Sequence, residues 1–282
     1  MQLGSLNDLW RYPVKSMRGE RLSHAQITAR GIAYDRGYAF LDEESGKIAS
    51  AKRPRHWGYL LQCQARVAAA DGAVCITLAD GREIQVDQAS QGEVNDALAL
   101  LTKRPVRLIH TPPPVPEIER YWPDVDGLAL RDMVTSGAIG QGAPQGTFFD
   151  YAPLHLLTTA TLAHLRTLYP QGQVDARRFR PNLVIEVPDL SEGFVENAWV
   201  GRILQIGEDV RLRVTNPTPR CVVPTLPQGE LMEDIGILRA VAQHNRPPVP
   251  ALEGASLPCL GVYARVERSG VIRRGDTVRL MS

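Results

Sequence analysis

Short apolar segments separated by turn residues at regular intervals restrict the fold of this 282-residue chain most strongly. In residues 74–86, apolar residues alternate on either side of an Asp80-Gly81 turn, which is typical of a β-hairpin. Residues 203–214 repeat the pattern around Gly207-Glu208-Asp209. Strands at this spacing favour a barrel or a sandwich over a parallel α/β sheet. We therefore predict an α+β fold that is predominantly β, with a few helices.

Helical spacing is limited to three segments, at about 90–103, 158–169 and 231–244. The first of them opens with Ser90-Gln91-Gly92-Glu93, which has the spacing of a capping box. Between the first two helices, the prolines of Thr111–Pro116 cannot supply the hydrogen bonds of a sheet or a helix. We place the domain boundary at this stiff segment, which gives domains at 1–116 and 117–282.

Charge and composition exclude several classes of function. The net charge is only +1, so no overall field favours nucleic acid or an anionic membrane. No apolar run approaches the roughly 20 residues that span a bilayer, and no secretion signal opens the chain, so we expect a cytoplasmic protein without a membrane span. The four cysteines lack Cys-x-x-Cys spacing, which argues against a zinc ribbon or an iron–sulfur cluster.

Two polar constellations could bind an anion. Lys15, Ser16 and Arg36 could together donate to one phosphate, although a solvated lysine and a turn serine would look the same in sequence. Residues 177–182 concentrate three arginines just before an apolar strand, and Asn182 adds an amide that can pair with the edge of a heterocycle. A solvated charged face is the alternative, but the run contains no acidic residue to neutralise it.

A third constellation surrounds Cys221. Three prolines fix the backbone of residues 216–225 on either side of this cysteine, and the neighbouring Arg220 favours the thiolate form that binds metals. A small buried thiol is the alternative, since that is the usual state of a free cysteine. The other three cysteines lack both the stiff loop and the adjacent cation.

The order of these motifs along the chain resembles the MOSC family, named for the C-terminal domain of molybdenum cofactor sulfurase. The branch it resembles carries the mitochondrial amidoxime-reducing component and its bacterial relatives. The resemblance runs from about Leu3 to Leu280 and is carried by six ordered motifs: Tyr-Pro-Val-Lys-Ser (12–16), Gly-x-x-x-Asp-Arg (31–36), Arg-Phe-Arg-Pro-Asn (178–182), Thr-Pro-Arg-Cys (218–221), Gly-Val-Tyr (261–263) and Gly-Val-Ile-x-x-Gly-Asp (270–276).

The resemblance implies a β-barrel-like N-terminal domain packed on a MOSC β-barrel domain, with a molybdopterin cofactor bound between them. It implies that Cys221 is the protein ligand of molybdenum and the catalytic residue. The other cofactor-binding positions that it implies are Lys15, Ser16, Arg36, Thr158, Thr159, Arg180, Asn182, Thr218, Pro219, Arg220 and Tyr263.

The activity implied by the resemblance is a molybdenum-dependent, two-electron reduction of small N-hydroxylated compounds such as amidoximes or hydroxylamines. Because no cysteine cluster follows the last motif, we expect a separate electron donor of the ferredoxin, flavoprotein or cytochrome type. Val223–Pro227 departs from the usual family turn after the cysteine, which leaves the substrate class open. The alternative is a non-redox carrier of the cofactor, or a sulfur-delivery module in which Cys221 carries a persulfide.

Overall fold

The computed structural model describes residues 1–68, 72–87, 90–126, 130–188 and 193–281. Strands account for 38% of the structure and helices for 21%, which confirms the predominantly β, α+β prediction. The strands of the first half are Gln2–Arg11 (β1), Glu20–Arg21 (β2), His24–Thr28 (β3), Gly31–Ile32 (β4), Ala39–Asp42 (β5), Gln64–Val67 (β6), Val74–Thr77 (β7), Glu83–Gln85 (β8), Val106–Ile109 (β9) and Glu117–Trp122 (β10). The later strands are Met133–Ala138 (β11), Leu154–Thr158 (β12), Leu183–Glu186 (β13), Ile203–Ile206 (β14), Val210–Pro219 (β15), Pro248–Val249 (β16), Ala255–Ser256 (β17), Cys259–Arg268 (β18), Gly270–Arg273 (β19) and Thr277–Leu280 (β20).

The helices are few and short. The α-helices are Pro54–Trp57 (α1), Gln91–Thr102 (α2), Thr159–Leu168 (α3), Ala176–Phe179 (α4) and Ile235–His244 (α5), and 3-10 turns cover Gly58–Gln62, Val195–Trp199, Val223–Thr225 and Pro250–Leu252. Within the described ranges, no helix is long and apolar enough to cross a membrane.

A closed seven-stranded barrel forms the larger body of the molecule. Its strand order is β13-β12-β18-β15-β14-β20-β1, and a pairing between β1 and β13 closes the ring. The first strand therefore lies among strands from the second half, with Ser5 opposite Glu186 and Gly4 opposite Val278. Inward-facing apolar residues from all seven strands fill the barrel, Leu6 and Leu9 of β1 among them. The domain boundary at Pro116 stays a prediction.

A second apolar core lies under the small sheets of the first half. It packs Phe40, Ile76 and Leu108, among others, against Val94 and Leu98 of α2. The hairpin predicted at residues 74–86 is present as β7 and β8. The two bodies meet where the chain leaves β1, since Val14 and Met17 belong to this second core while Leu9 belongs to the barrel.

The first predicted helix is present as α2, but the capping bond expected at its start is wrong, and so is the start predicted for the last helix. Ser90 precedes α2, but its side chain makes no capping bond to the helix; its hydroxyl is held instead by Asp87 and the carbonyl of Gln85. The last predicted helix begins at Ile235 instead of Leu231, because Asp234 accepts a bond from the Gly236 amide and caps it there. The helix predicted from Thr158-Thr159 is present as α3, with Thr158 as its N-cap.

Candidate functional site

A narrow cleft lies between the two bodies. It is lined by chain segments that leave the barrel or enter it. Nine of the residues predicted to form the site line this cleft: Lys15, Ser16, Arg36, Arg180, Asn182, Thr218, Arg220, Cys221 and Tyr263. They come from positions 15 to 263, so only the folded barrel brings them together.

Two partly buried guanidinium groups pack on one aromatic ring at the wall of the cleft. The guanidinium carbons of Arg36 and Arg180 lie 4.3 and 4.4 Å from the centroid of the Tyr12 ring. Burial and the neighbouring Arg36 lower the pKa of Arg180 to about 10, so the Arg180 guanidinium is cationic at neutral pH. Burial raises the pKa of Tyr12 to about 12, and its neutral hydroxyl donates to the carbonyl of Pro181 over 3.1 Å.

Three residues of the cleft adopt left-handed backbone conformations without being glycine. The φ angles of Ser16, Arg36 and Arg180 are 67°, 46° and 55°. Such angles are unfavourable for residues with a Cβ and persist where the surrounding structure requires them, often at binding sites. Arg180 ends α4 in this left-handed conformation, and its guanidinium donates to the carbonyl of Met17 over 2.7 Å. Side-chain placement in the cleft therefore carries a backbone cost.

A carboxylate that the sequence analysis did not identify joins two lysines. Lys15 Nζ donates to Asp150 Oδ1 over 2.6 Å and to the Phe148 carbonyl over 2.8 Å, while Lys52 Nζ lies 3.0 Å from Asp150 Oδ2. Burial lowers the pKa of Lys15 to about 8. Burial alone would raise the pKa of Asp150, but the two ammonium groups hold it well below its usual value. The only sequence signal was the lone acid in the apolar stretch Phe148–Ala152.

The Cys221 loop begins where β15 ends. The Arg220 amide donates to the Pro258 carbonyl over 2.8 Å, and Arg220 Nη2 donates to the Phe179 carbonyl over 3.0 Å. Cys221 is partly exposed, whereas the other three of the four cysteines are buried outside the cleft. Burial raises the pKa of Cys63 to about 11 and that of Cys259 to about 12, so both stay thiols. Cys221 is thus the cysteine that a ligand in the cleft would contact.

Two buried polar atoms of the cleft residues lack a hydrogen-bond partner. These are the hydroxyl oxygen of Thr218 and Nε of Arg220. A buried polar group without a partner costs about 1–3 kcal/mol and is uncommon in folded proteins. Both flank the Cys221 loop, so a polar ligand in the cleft could supply the missing partners.

A neutral histidine lines the cleft beside the last long strand. Burial and the nearby Arg220 lower the pKa of His155 to about 3, and its Nε2 donates to the Leu260 carbonyl over 3.2 Å. Gly261 permits this contact, since a Cβ at its φ of 75° would lie 2.4 Å from the same nitrogen. The ring of Tyr263 lies 6.0 Å from that of His155 and 5.4 Å from that of Tyr151.

Two residues predicted to bind the cofactor do not reach the cleft. Thr158 uses its hydroxyl to cap α3 and to donate to Glu196 over 2.8 Å. Thr159 accepts from the Val187 amide and lines a separate groove. The prediction followed the preference of helix N-termini for anions, but the N-terminus of α3 is occupied by these internal contacts.

Asn182 and Pro219 also differ from expectation. Asn182 lines the cleft, but its amide is already bonded to Asp35, to the Trp10 carbonyl and to the His155 amide. Its role in this structure is to join β1, the Asp35 segment and β12. Pro219 lies on the outer side of the Cys221 loop.

A wider pocket adjoins the cleft at this outer side, and we refer to it as the vestibule. Much of its lining comes from the β10–β11 hairpin, from β15 and from residues 249–252. The full lining is Lys52, Arg120, Trp122, Thr135, Gly137, Ala138, Gln141, Asp150, Tyr151, Asn216, Pro217, Pro219, Arg220, Cys221, Val249, Ala251, Leu252 and Tyr263. Five residues line both spaces: Lys52, Asp150, Arg220, Cys221 and Tyr263. Cys221 therefore stands at the passage between them.

The described part of the chain offers no ready-made metal site of several side chains. Over the described ranges, no group of three or more histidine, cysteine, aspartate and glutamate side chains converges on a position that could hold a metal ion. The chemistry available from the cleft itself is a thiol, several buried cations and hydrogen-bond donors without partners.

Family models match both halves of the chain. The MOSC N-terminal beta barrel domain matches residues 3–105, and the MOSC domain matches residues 143–279. The second match contains Cys221, Arg180 and Tyr263, and the first contains Lys15 and Arg36. The cleft thus draws residues from both matched regions.

Relatives of similar length were found among characterised proteins. Mitochondrial amidoxime-reducing component 1 of Mus musculus is 27% identical over 303 residues, covering 99% of this chain and 83% of the relative. The Homo sapiens protein of the same name is 27% identical over 304 residues, covering 99% and 84%.

Among solved structures, the YuaD protein of Bacillus subtilis matches 98% of this chain and 94% of its own, at 11% identity and a TM-score of 0.46. YiiM of Geobacillus stearothermophilus matches 46% and 55%, at 19% identity and a TM-score of 0.32. On the evidence of the two family matches, this chain is a MOSC-domain protein in which a MOSC N-terminal beta barrel domain precedes the MOSC domain.

Proposed function

We propose that this protein binds a molybdenum cofactor in the cleft, with Cys221 as the protein ligand of the metal, and reduces N-hydroxylated compounds. The observation that supports this most directly is the pair of buried atoms without partners, Thr218 Oγ1 and Arg220 Nε, beside a partly exposed cysteine. A soft thiolate is a ligand suited to a metal that already carries dithiolene sulfur.

The cations of the cleft fit the phosphate and pterin of such a cofactor. Lys15, Arg36 and Arg180 would hold the phosphate, since buried cations bind phosphate oxygens strongly. Ser16 accepts a bond from the Ala51 amide, which leaves its hydroxyl proton for the ligand. Thr218 and Arg220 would donate to the polar edges nearer the metal. Asn182 would act indirectly, by fixing Asp35 and through it Arg36.

The bound cofactor would supply the two-electron exchange and the acceptance of an oxygen atom. Reduction of an N-hydroxylated compound cleaves the N–O bond, consumes two electrons and two protons, and releases the amine or amidine and water. The protein would orient the substrate at the passage where Cys221 lies, and Lys52 and Tyr263 are the proton-bearing groups there.

The substrate class follows from the relatives named as amidoxime-reducing components. The electrons would come from a separate protein of the ferredoxin, flavoprotein or cytochrome type.

Metal and pterin analysis of purified protein, made in a host that synthesises the cofactor, tests this proposal. We expect about one molybdenum and one pterin per chain, and reduction of benzamidoxime with a chemical reductant. Cys221→Ser should lose activity at least 100-fold and lower the molybdenum content. Cys75→Ala, which changes a cysteine far from the cleft, should lose neither.

Folded protein that never acquires molybdenum would contradict the proposal. The alternative, a sulfur-delivery module, would show no turnover. It would also need a sulfur donor to load Cys221. Reduction of benzamidoxime without any sulfur donor would exclude it.

A further inference from the structure

The vestibule carries charged and aromatic groups that the proposed chemistry does not use. Arg120 and Trp122 are two residues apart on β10, so both lie on the face of the hairpin that lines the vestibule. Glu119 lies on the opposite face, where it is close to Lys47 and Arg53. The hairpin therefore presents a cation and an indole ring to the vestibule and keeps its carboxylate away.

Arg120 is a cation without an acidic partner. Its Nη2 donates to the Ala138 carbonyl over 3.0 Å, and within the described ranges no carboxylate forms an ion pair with it. Gly137 leaves room for the guanidinium, since a Cβ there would lie 2.9 Å from Arg120 Nη1. The backbone carbonyl orients the group but does not neutralise it, so its charge remains available to a ligand.

The other charges of the vestibule do not compensate for Arg120. Its lining contains three cationic side chains, of Lys52, Arg120 and Arg220, and one carboxylate, of Asp150. That carboxylate is already bonded to Lys15 and Lys52. The vestibule is therefore cationic. Of its three cations, Lys52 and Arg220 also line the cleft, whereas Arg120 of the β10–β11 hairpin lines the vestibule alone.

The remaining walls suit a planar, apolar ligand. Trp122 Nε1 donates to Thr135 Oγ1 over 2.9 Å, and the Tyr151 hydroxyl accepts from Asn216 Nδ2 over 3.2 Å. The indole nitrogen is thus satisfied inside the protein, and the two rings form wall surface. Val249, Ala251 and Leu252 complete the apolar side. Sites of this kind bind flat, apolar bodies and use a few polar groups for specificity.

We propose that the vestibule is a specificity site for N-hydroxylated aromatic compounds that bear a carboxylate, with Arg120 as the residue that recognises the carboxylate. This inference rests on the proposed function for the identity of the reacting group, but the recognition of charge is a property of the vestibule alone. A guanidinium matches a carboxylate through two parallel hydrogen bonds.

Two probes of equal size separate charge from shape: 4-carboxybenzamidoxime and its neutral amide, 4-carbamoylbenzamidoxime. Isothermal titration calorimetry without reductant measures binding only. We expect the purified protein to bind the carboxylate about tenfold more tightly, which corresponds to about 1.4 kcal/mol. Arg120→Gln should reduce this ratio to about one, and Arg120→Lys should retain part of it. Arg131→Gln, a change at an exposed arginine next to the same hairpin, should leave the ratio unchanged.

With reductant present, the preference should appear in KM and not in kcat, because Arg120 would bind the ground state and the transition state equally. Equal binding of the two probes by the wild-type protein, or an unchanged ratio in Arg120→Gln, would overturn the inference. If the protein discriminates between the probes but reduces neither, the specificity site stands and the proposed function fails. If it reduces both without discrimination, the proposed function stands and the specificity site fails.

Discussion

The side-chain amide of Asn182 donates a hydrogen bond of 2.9 Å to the buried carboxylate of Asp35, a residue 147 positions earlier in the chain. The same carboxylate accepts from the Tyr12 amide over 2.6 Å and from the Arg36 guanidinium over 2.5 Å. Through these three hydrogen bonds, the Asp35 carboxylate links the end of β1, the left-handed turn at Arg36 and the start of β13. The Asp35 carboxylate lies behind the cleft and fixes a cation that lines it.

Asn182→Ala should destabilise the protein even without a cofactor. It removes one hydrogen bond of the buried Asp35 carboxylate and the side-chain acceptor of the buried His155 amide, which costs about 1–3 kcal/mol of the free energy of unfolding. Urea unfolding of protein from a host that lacks cofactor synthesis measures this. Asp209→Asn, at an exposed pair with Arg268, should cost less than about 1 kcal/mol. Unchanged stability in Asn182→Ala would mean that Asn182 serves only as a ligand contact.

Thr218→Val should separate stability from cofactor binding. The buried hydroxyl has no partner, so its replacement by a methyl group of similar size should raise the free energy of unfolding of cofactor-free protein by about 1 kcal/mol. Cofactor retention, measured as pterin per chain after gel filtration, should fall. Thr225→Val is the matched control, because Thr225 Oγ1 donates to the Val222 carbonyl and its loss should destabilise. Full pterin retention in Thr218→Val would contradict this role.

Lys15 should titrate near pH 8 in the cofactor-free protein. The chain has four lysines, so NMR of labelled lysine side chains can resolve it. In Asp150→Asn the pKa of Lys15 should fall further, because the carboxylate that raises it is gone. Lys52 should titrate above its ordinary value in the wild type, since Asp150 and Cys221 outweigh the effect of burial.

The pKa of Lys15 also sets the sign of a stability effect. The folded-state value of about 8 lies below the ordinary 10.5, so the charged lysine destabilises the fold below pH 8. That penalty is relieved as the pH rises from 8 to 10.5. A Lys15→Met variant should lack this component in its pH profile of unfolding free energy, and an identical profile would contradict the assignment.

His155 should cause a loss of stability in acid. Its folded-state pKa of about 3 lies below the ordinary 6.5, so the neutral ring contributes stability that is present above pH 6.5 and lost as the pH falls towards 3. The slope for one group is about 1.4 kcal/mol per pH unit. His155→Gln should flatten the profile between pH 4 and 6.5, whereas the exposed His24→Gln should follow the wild type. A wild-type slope that persists in His155→Gln would show that another group is responsible.

The sequence predicted those site residues whose chemistry is concentrated locally. Arg180 stands in a run of arginines and Cys221 in a rigid loop with a cation beside it, so both could be recognised from their neighbours alone. Lys52 and Asp150 could not, because the two side chains meet only across 98 positions of the chain. The internal bond of the Thr158 hydroxyl was unpredictable for the same reason, since Glu196, which accepts it, lies 38 residues later.

The fold divides in a similar way. Hairpins such as β7–β8 and β14–β15 were predictable because alternation and a turn are local features. The place of β1 was not, since its partners are β13 and β20. A prediction of two domains along the chain could not show that the first strand completes the barrel of the second half.

The position of β1 has a consequence for synthesis of the chain. Leu6 and Leu9 are translated long before β20, the strand that pairs with β1 on one side and ends at Leu280. At about 5–20 residues per second, translation of the residues between Leu9 and Leu280 takes roughly 15 to 55 s. β13 is available to pair with β1 earlier, but the barrel can close only after translation of β20 is complete. The nascent chain therefore holds the apolar side of β1 uncovered until the barrel closes, and slower elongation should lower the yield of folded protein.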